Sequence, residues 1–145
     1  MKLIYTKAEI NDAGAINELS HQLGYKTTIN DIEDRLIEIL KNNDNCVFVA
    51  SQNNIVVGWA HAFYSLRIES ESFVEIGGLV VNENFRKKGI AKKLVDTVID
   101  WSVNRKCNKI RVRSNSLRNE AHVFYNRIGF QEKTEQKIFD RECNL

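Results

Sequence analysis

The sequence contains no proline, one methionine and three cysteines, and its seven glycines are scattered except for the pair Gly77-Gly78. Without a Gly/Ser-rich, repetitive or low-complexity tract it offers no linker, so residues 1–145 read as a single domain. Cys46, Cys107 and Cys143 are odd in number, far apart and without C-x-x-C spacing, which argues against a disulfide framework and a cysteine-based zinc site. No apolar run is long enough to span a membrane, and Met1-Lys2-Leu3-Ile4-Tyr5-Thr6-Lys7 lacks the apolar core of a signal peptide. A cytoplasmic protein with no membrane partner is expected. What is present, 145 residues of which 43% are hydrophobic, suffices for one buried core without a structural metal.

Strong net charge is also lacking, at +2, but the balance is uneven along the chain. Residues 1–85 carry 6 basic and 12 acidic side chains, whereas residues 86–145 carry 15 and 7. Opposite signs in the two parts suit two differently charged ligands, although ordinary solvated faces would give the same count.

Residues 2–7 alternate as a strand. Asn11 or Asp12 caps a helix carrying Ala15, Ile16, Leu19 and Leu23 on one stripe and ending at Gly24. A second helix begins at a Thr28 or Asn30 cap and keeps helical spacing through Ile32, Leu36, Ile39 and Leu40. Two β-prone runs, Cys46–Ala50 and Ile55–Tyr64, flank the turn-former Asn53-Asn54 and predict a hairpin. A third, Ser72–Val81, contains Gly77-Gly78, and glycine inside a strand signals a bulge or a close backbone approach. After Gly89 the period becomes helical, with Ile90, Leu94, Val98 and Trp101 on one stripe. Lys109–Arg113 alternates as a strand, a helix follows over Arg118–Arg127, and a last strand is expected near Glu132–Phe139. The order β-α-α-β-β-β-α-β-α-β is that of an α/β or α+β sandwich.

The informative segment is Leu79-Val80-Val81-Asn82-Glu83-Asn84-Phe85-Arg86-Lys87-Lys88-Gly89-Ile90-Ala91, a strand, a loop and a helix start. Gly89 removes a side chain where the helix begins, so successive backbone N–H groups can face one anion at the positive end of the helix dipole. Arg86, Lys87, Lys88, Lys92 and Lys93 place five positive charges in this short stretch with no acid among them. A pyrophosphate suits such a nest, and a solvated basic helix start is the plain alternative.

Arg86-x-x-Gly89-x-Ala91 resembles the acyl-CoA-binding signature [Q/R]-x-x-G-x-[G/A] of the GNAT superfamily of N-acetyltransferases, and it stands between a hydrophobic strand and an amphipathic helix as that family requires. A second segment, Ala121-His122-x-Phe124-Tyr125-x-x-x-Gly129-Phe130, is similar to the family's A-x-x-[FL]-Y-x-x-x-G-F stretch. Two positions depart from the pattern. Glu83 stands where many members have proline after the strand, and Arg118 stands where many carry asparagine seven residues before the tyrosine. Asn115 and Asn119 lie nearby, so the cofactor contact there falls to Asn115, Arg118 or Asn119.

The resemblance implies a mostly antiparallel central sheet flanked by helices, and acetyl-CoA as cosubstrate with no metal. It further implies cofactor contacts from Leu79, Val80, Val81, Arg86, Lys87, Lys88, Gly89, Ile90, Ala91 and Lys92. A backbone N–H of Leu79 or Val80 would polarise the thioester carbonyl. Tyr125 would return a proton to the CoA thiolate, whose reference pKa is near 8.5. An amine with a pKa near 10.4 lies about 3.4 units, on the order of 4–5 kcal/mol, above its neutral nucleophilic form at pH 7, so a base is needed. Strand alternation puts Glu75 on one face with Gly77 and Leu79, and Glu75 matches a strand glutamate that serves as base in some members. A salt-bridged strand carboxylate is its plain alternative, and an ordered water relay is another base.

The acceptor is then a primary amine of a small molecule or peptide, attacked directly within a ternary complex. The acidic first 85 residues would favour a cationic one. His61, His21 and His122 stand at no triad or metal-site spacing in the sequence, and Trp59, Phe63 and Tyr64 suit either core or pocket. Members of the family often dimerise, so a homodimer is compatible. Two other readings fit the sequence. One is a catalytically silent acyl-CoA sensor. The other is a basic nucleic-acid-binding module using Arg86–Lys93, Arg105, Lys106, Lys109, Arg111 and Arg113; the near-neutral total charge and the missing aromatic series argue against nucleic acid.

Overall fold

The computed structural model describes residues 2–114 and 118–144. They fall into two compact units, Met1–Arg113 and Ser114–Leu145. The first holds β1 (Leu3–Lys7), α1 (Ala13–His21), α2 (Ile29–Lys41), β2 (Asn45–Gln52), β3 (Ile55–Ser65), β4 (Phe73–Val81), α3 (Ile90–Asn104) and β5 (Ile110–Val112). The five strands lie in sequence order in one sheet, antiparallel except for the parallel β4–β5 pair.

Local signals set most element ends. Asp12 stands at the start of α1, and its carboxylate accepts the Glu9 N–H at 2.8 Å. At α2 the Thr28 hydroxyl accepts the Asp31 N–H at 3.1 Å while the Asp31 carboxylate accepts the Thr28 N–H at 3.4 Å, a reciprocal cap. Asn53 and Asn54 turn the β2–β3 hairpin with φ of 52° and 65°. Asparagine is among the few residues that tolerate this left-handed backbone, which the tight primed turn requires.

One face of the sheet packs on α1 and α2, where Ala13, Ile16 and Leu36 meet Val47 and Val49 with Trp59 beside them. The other packs on α3, whose Ile90, Leu94, Val95 and Val98 are buried. Gly58 allows that approach, since a Cβ there would lie 3.3 Å from Leu94 Cδ1 and 3.4 Å from Ile90 Cγ2. Arg105, just beyond α3, pairs with Asp44 and the Asn43 carbonyl and lies over the rings of Tyr64 and Trp101.

The second unit contains α4 (Asn119–Arg127), after which Gly129 takes a left-handed φ of 103°. The strand expected near Glu132–Phe139 does not form, and residues 131–144 have no regular secondary structure. Its two large apolar residues, Ile138 and Phe139, are adjacent in sequence and would point to opposite faces of a strand, so neither face gains a buried stripe. They are 83% and 88% exposed.

Candidate active site

The site begins at a defect in β4. Across the β3–β4 ladder Ala62 faces Ile76 and His61 faces Gly78, so Gly77 is an extra residue, a β-bulge. Aromatic side chains of β3 explain why both bulge residues are glycine. A Cβ on Gly77 would lie 3.0 Å from Phe63 Cε1 and 3.4 Å from His61 Nδ1, and one on Gly78 would lie 2.7 Å from Trp59 Cη2 and Cζ3. At the same point the parallel pairing of β4 with β5 stops, its last pair being Ile76 with Val112. From Gly77 to Val81, therefore, β4 is paired through β3 alone among the described residues. Its other edge presents strand N–H and C=O groups that have no ladder partner among the described residues.

That open edge leads into the loop singled out by the sequence. Asn82 accepts the Asn84 N–H at 2.9 Å, and the Glu83 N–H donates to Gln22 Oε1 at 3.1 Å. Proline at position 83 could not make this bond, so the departure from the family pattern has a local use here. Lys87 and Gly89 both adopt positive φ, 63° and 79°. The first bond into α3 runs from the Lys93 N–H to the Gly89 carbonyl at 3.0 Å, which leaves the N–H groups of Ile90, Ala91 and Lys92 without an intrahelical acceptor. Arg86, Lys87, Lys88, Lys92 and Lys93 are all exposed around this helix start. Lys88 lies over the Phe85 ring and Lys92 pairs with Asp96 at 2.9 Å. Preorganised N–H groups, a helix dipole and a cationic rim are together chemically suited to an anion such as a phosphate or pyrophosphate.

Glu75 lies just before the bulge, opposite Phe63 on β3 and Arg111 on β5. The bulge corrects the strict alternation. Glu75 shares its face with Phe63 and the two glycines, whereas Leu79, opposite Ala60, is on the α3 side. The Glu75 side chain is 13% exposed, and its Oε1 accepts the Arg113 Nε–H at 3.0 Å. His61, on the same face, has Nε2 2.7 Å from Asn45 Oδ1, and burial lowers its pKa, which favours the neutral imidazole. His21 is exposed and bonds the Thr27 carbonyl at 2.6 Å.

In the second unit Tyr125 sits on α4, edge-on to Phe124 and Phe130 at centroid distances of 5.2 and 5.6 Å. Burial raises its phenol pKa and the nearby Arg118 charge opposes that rise, so the group is a protonated donor at neutral pH. Arg118 and Asn119 are exposed at the start of α4, and Asn115 lies outside the described residues.

Among the described residues no group of three or more His, Cys, Asp or Glu side chains could hold a metal, and no helix is long and apolar enough to cross a membrane. Burial pushes the Cys46 thiol up to about 12, so it supplies no thiolate near neutral pH. Sequence reasoning did not find the Glu75–Arg113 pair, the His61–Asn45 bond or the end of β4–β5 pairing. The one signal that pointed there was the Gly77-Gly78 pair inside a strand.

Known proteins resemble this chain in sequence and in fold. An aminoglycoside N(6')-acetyltransferase type 1 from Salmonella typhimurium is 28% identical over 109 residues, covering 72% of this chain and 74% of that protein. The N-acetylaspartate synthetase of Xenopus tropicalis is 29% identical over 114 residues, 78% of this chain and 40% of its own length. Among solved structures, AAC(6')-Iy in complex with the bisubstrate analogue CoA-S-monomethyl-acetylneamine superposes with a TM-score of 0.87 at 20% identity, covering 99% of this chain and 100% of the other. Glucosamine-6-phosphate N-acetyltransferase from Arabidopsis thaliana gives 0.82 at 24% identity, over 97% and 100%. These two structures share the fold. The sequence model of the acetyltransferase (GNAT) family matches residues 14–130, and the chain belongs to that family.

Proposed function

We propose that this protein transfers the acetyl group of acetyl-CoA to a primary amine by direct attack within a ternary complex. The observation that carries the reading is the coincidence of three features: the bulge at Gly77, the end of β4–β5 pairing at Ile76–Val112, and the cationic helix start at Gly89–Ile90. A CoA thioester supplies the activated acetyl group. Leu79, Val80 and Val81 offer backbone hydrogen bonds along an open edge, which suits the amide-bearing chain of that molecule. Arg86, Lys87, Lys88, Gly89, Ile90, Ala91 and Lys92 hold its phosphates, with Arg118, Asn119 or Asn115 adding a contact from the second segment.

The chain's own groups divide the remaining work. An N–H of Leu79 or Val80 faces developing negative charge with a dipole fixed by the β3 ladder, so little reorganisation is needed. Glu75, positioned by Arg113, accepts the proton of the attacking amine directly or through water. Tyr125 donates a proton to the departing thiolate. Because Cys46 is held as a thiol and Cys107 is also buried, direct attack is favoured over an acyl-cysteine at either.

The same reading takes residues 1–145 as one acetyltransferase domain, because the family match runs across both compact units. It places the protein in the cytoplasm as a monomer or homodimer acting on a small-molecule or peptide amine. Arg105 and Arg113 are engaged by Asp44 and Glu75, which supports leaving nucleic acid out. The relatives named above are called after aminoglycosides and after N-acetylaspartate, so the acceptor is a separate question. The test is thiol release from acetyl-CoA with a panel of amines. Amine-dependent release is expected, and Tyr125→Phe lowers kcat by roughly 100- to 10,000-fold, the range of general acid catalysis. Full turnover by Tyr125→Phe would remove the acid role.

A further inference from the structure

The face of the sheet that carries Glu75 also carries an arginine cluster. Phe73, the first residue of β4, is fully buried, and two guanidinium groups lie over its ring. Arg111 Cζ is 4.0 Å from the ring centroid and Arg67 Cζ is 5.4 Å from it. Arg113, two residues beyond Arg111 on the same face, holds Glu75. Three guanidinium groups thus gather around one aromatic ring and one carboxylate. Among the described residues neither Arg67 nor Arg111 has a carboxylate within ion-pair distance. Arg67 Nε donates to Ser65 Oγ at 3.1 Å, which fixes the guanidinium while its terminal nitrogens remain available for another contact.

A guanidinium stacked on an aromatic face keeps its in-plane N–H fork for a second partner, and that fork matches the two oxygens of a carboxylate or phosphate. Two such cations close together repel until an anion joins them. Their position fits an acceptor. Phe73 and Glu75 precede the bulge by four and two residues, about 13 and 7 Å along a strand, on the face away from α3.

We propose that the acceptor of this enzyme is a primary amine bearing an oxyanion, with the amine at the Gly77–Gly78 bulge and the anion held by Arg67 and Arg111 over Phe73. The separation between them is roughly 7–13 Å. This rests on the acetyltransferase reading and adds the substrate class. It also revises the expectation, drawn from the acidic first 85 residues, of a purely cationic acceptor. On this side Arg111, Arg113 and the nearby Arg67 outnumber the one carboxylate, Glu75, a balance that would repel a polyamine.

The test compares acceptors that share an ω-amino group and chain length but end in carboxylate, phosphate, hydroxyl or a second amine. Free CoA is measured for the wild type and for Arg67→Gln, Arg111→Gln and Arg111→Lys, each checked for a native melt. The carboxylate or phosphate member is expected to exceed the diamine in kcat/KM by at least about tenfold, the worth of one charge-assisted hydrogen bond, and the better of the two identifies the oxyanion. The glutamine variants should lose that preference through KM, bringing the anionic acceptors down toward the amino alcohol, and Arg111→Lys should fall between. A diamine preferred over both anions, or a preference that survives both glutamine variants, overturns the proposal and leaves the acetyltransferase reading standing. No CoA release with any amine from folded protein overturns both.

Discussion

Replacing Gly78 with alanine tests whether the bulge is shaped by the aromatic side chains of β3. The new Cβ would lie 2.7 Å from Trp59 Cη2 and Cζ3, about 1 Å inside ordinary carbon–carbon contact. Trp59 has little room to retreat, because its ring is packed against the core formed by α1, α2 and β2. Overpacking of this kind costs about 1–3 kcal/mol. For a domain of this size each kcal/mol lowers Tm by roughly 2–4 °C, so a loss of about 2–12 °C is expected. Gly14 is the internal control, since a Cβ there meets nothing within 4 Å and the residue is inside α1. Gly14→Ala should leave Tm unchanged or raise it, because alanine is the better helix former. Thermal melts followed by circular dichroism, with indole fluorescence reporting on the tryptophan environment, measure both. A Gly78→Ala protein that melts with the wild type would refute the account of the bulge.

Gly89→Ala places an L side chain at φ 79°, which costs about 1–2 kcal/mol and disturbs the helix start. Weaker CoA binding by calorimetry is expected, and unchanged affinity would separate that loop from the cofactor. His61 supplies a pH prediction. Burial lowers its folded pKa below the ordinary 6.5, so in the window beneath 6.5 the unfolded chain binds the proton and the folded one does not. Stability therefore falls as pH drops through that window, and His61→Gln should flatten the slope in denaturant titrations; parallel slopes would contradict it.

Features written into short stretches of sequence were legible. Of the two caps expected for α2, Thr28 or Asn30, the first forms, and Asn53-Asn54 and Gly89 make the turn and the helix start expected of them. The stripe Ile90, Leu94 and Val98 is buried against the sheet as its period required. Features that depend on pairing between distant residues were not legible. Alternation alone put Glu75 with Leu79, because it cannot register the extra residue at Gly77 until β3 is laid alongside. Arg113 is 38 residues from Glu75, and no spacing rule reaches that far. The Lys109–Arg113 run shortened to Ile110–Val112, where pairing with β4 ends and the site opens. At the other extreme, Glu132–Phe139 has β-prone residues but no single apolar face, and composition overstated its tendency to form a strand.

The central claim is that the open edge of β4 and the cationic start of α3 serve acetyl transfer rather than cofactor binding alone. Mass spectrometry of the acceptor pool after incubation with acetyl-CoA tests it most directly. The account predicts an N-acetylated amine formed in equal amount with free CoA, in a reaction that wild-type protein sustains over many turnovers. Thermal stabilisation by CoA with no acetylated product across carboxylate-, phosphate-, hydroxyl- and amine-terminated acceptors would contradict it and leave a silent acyl-CoA sensor.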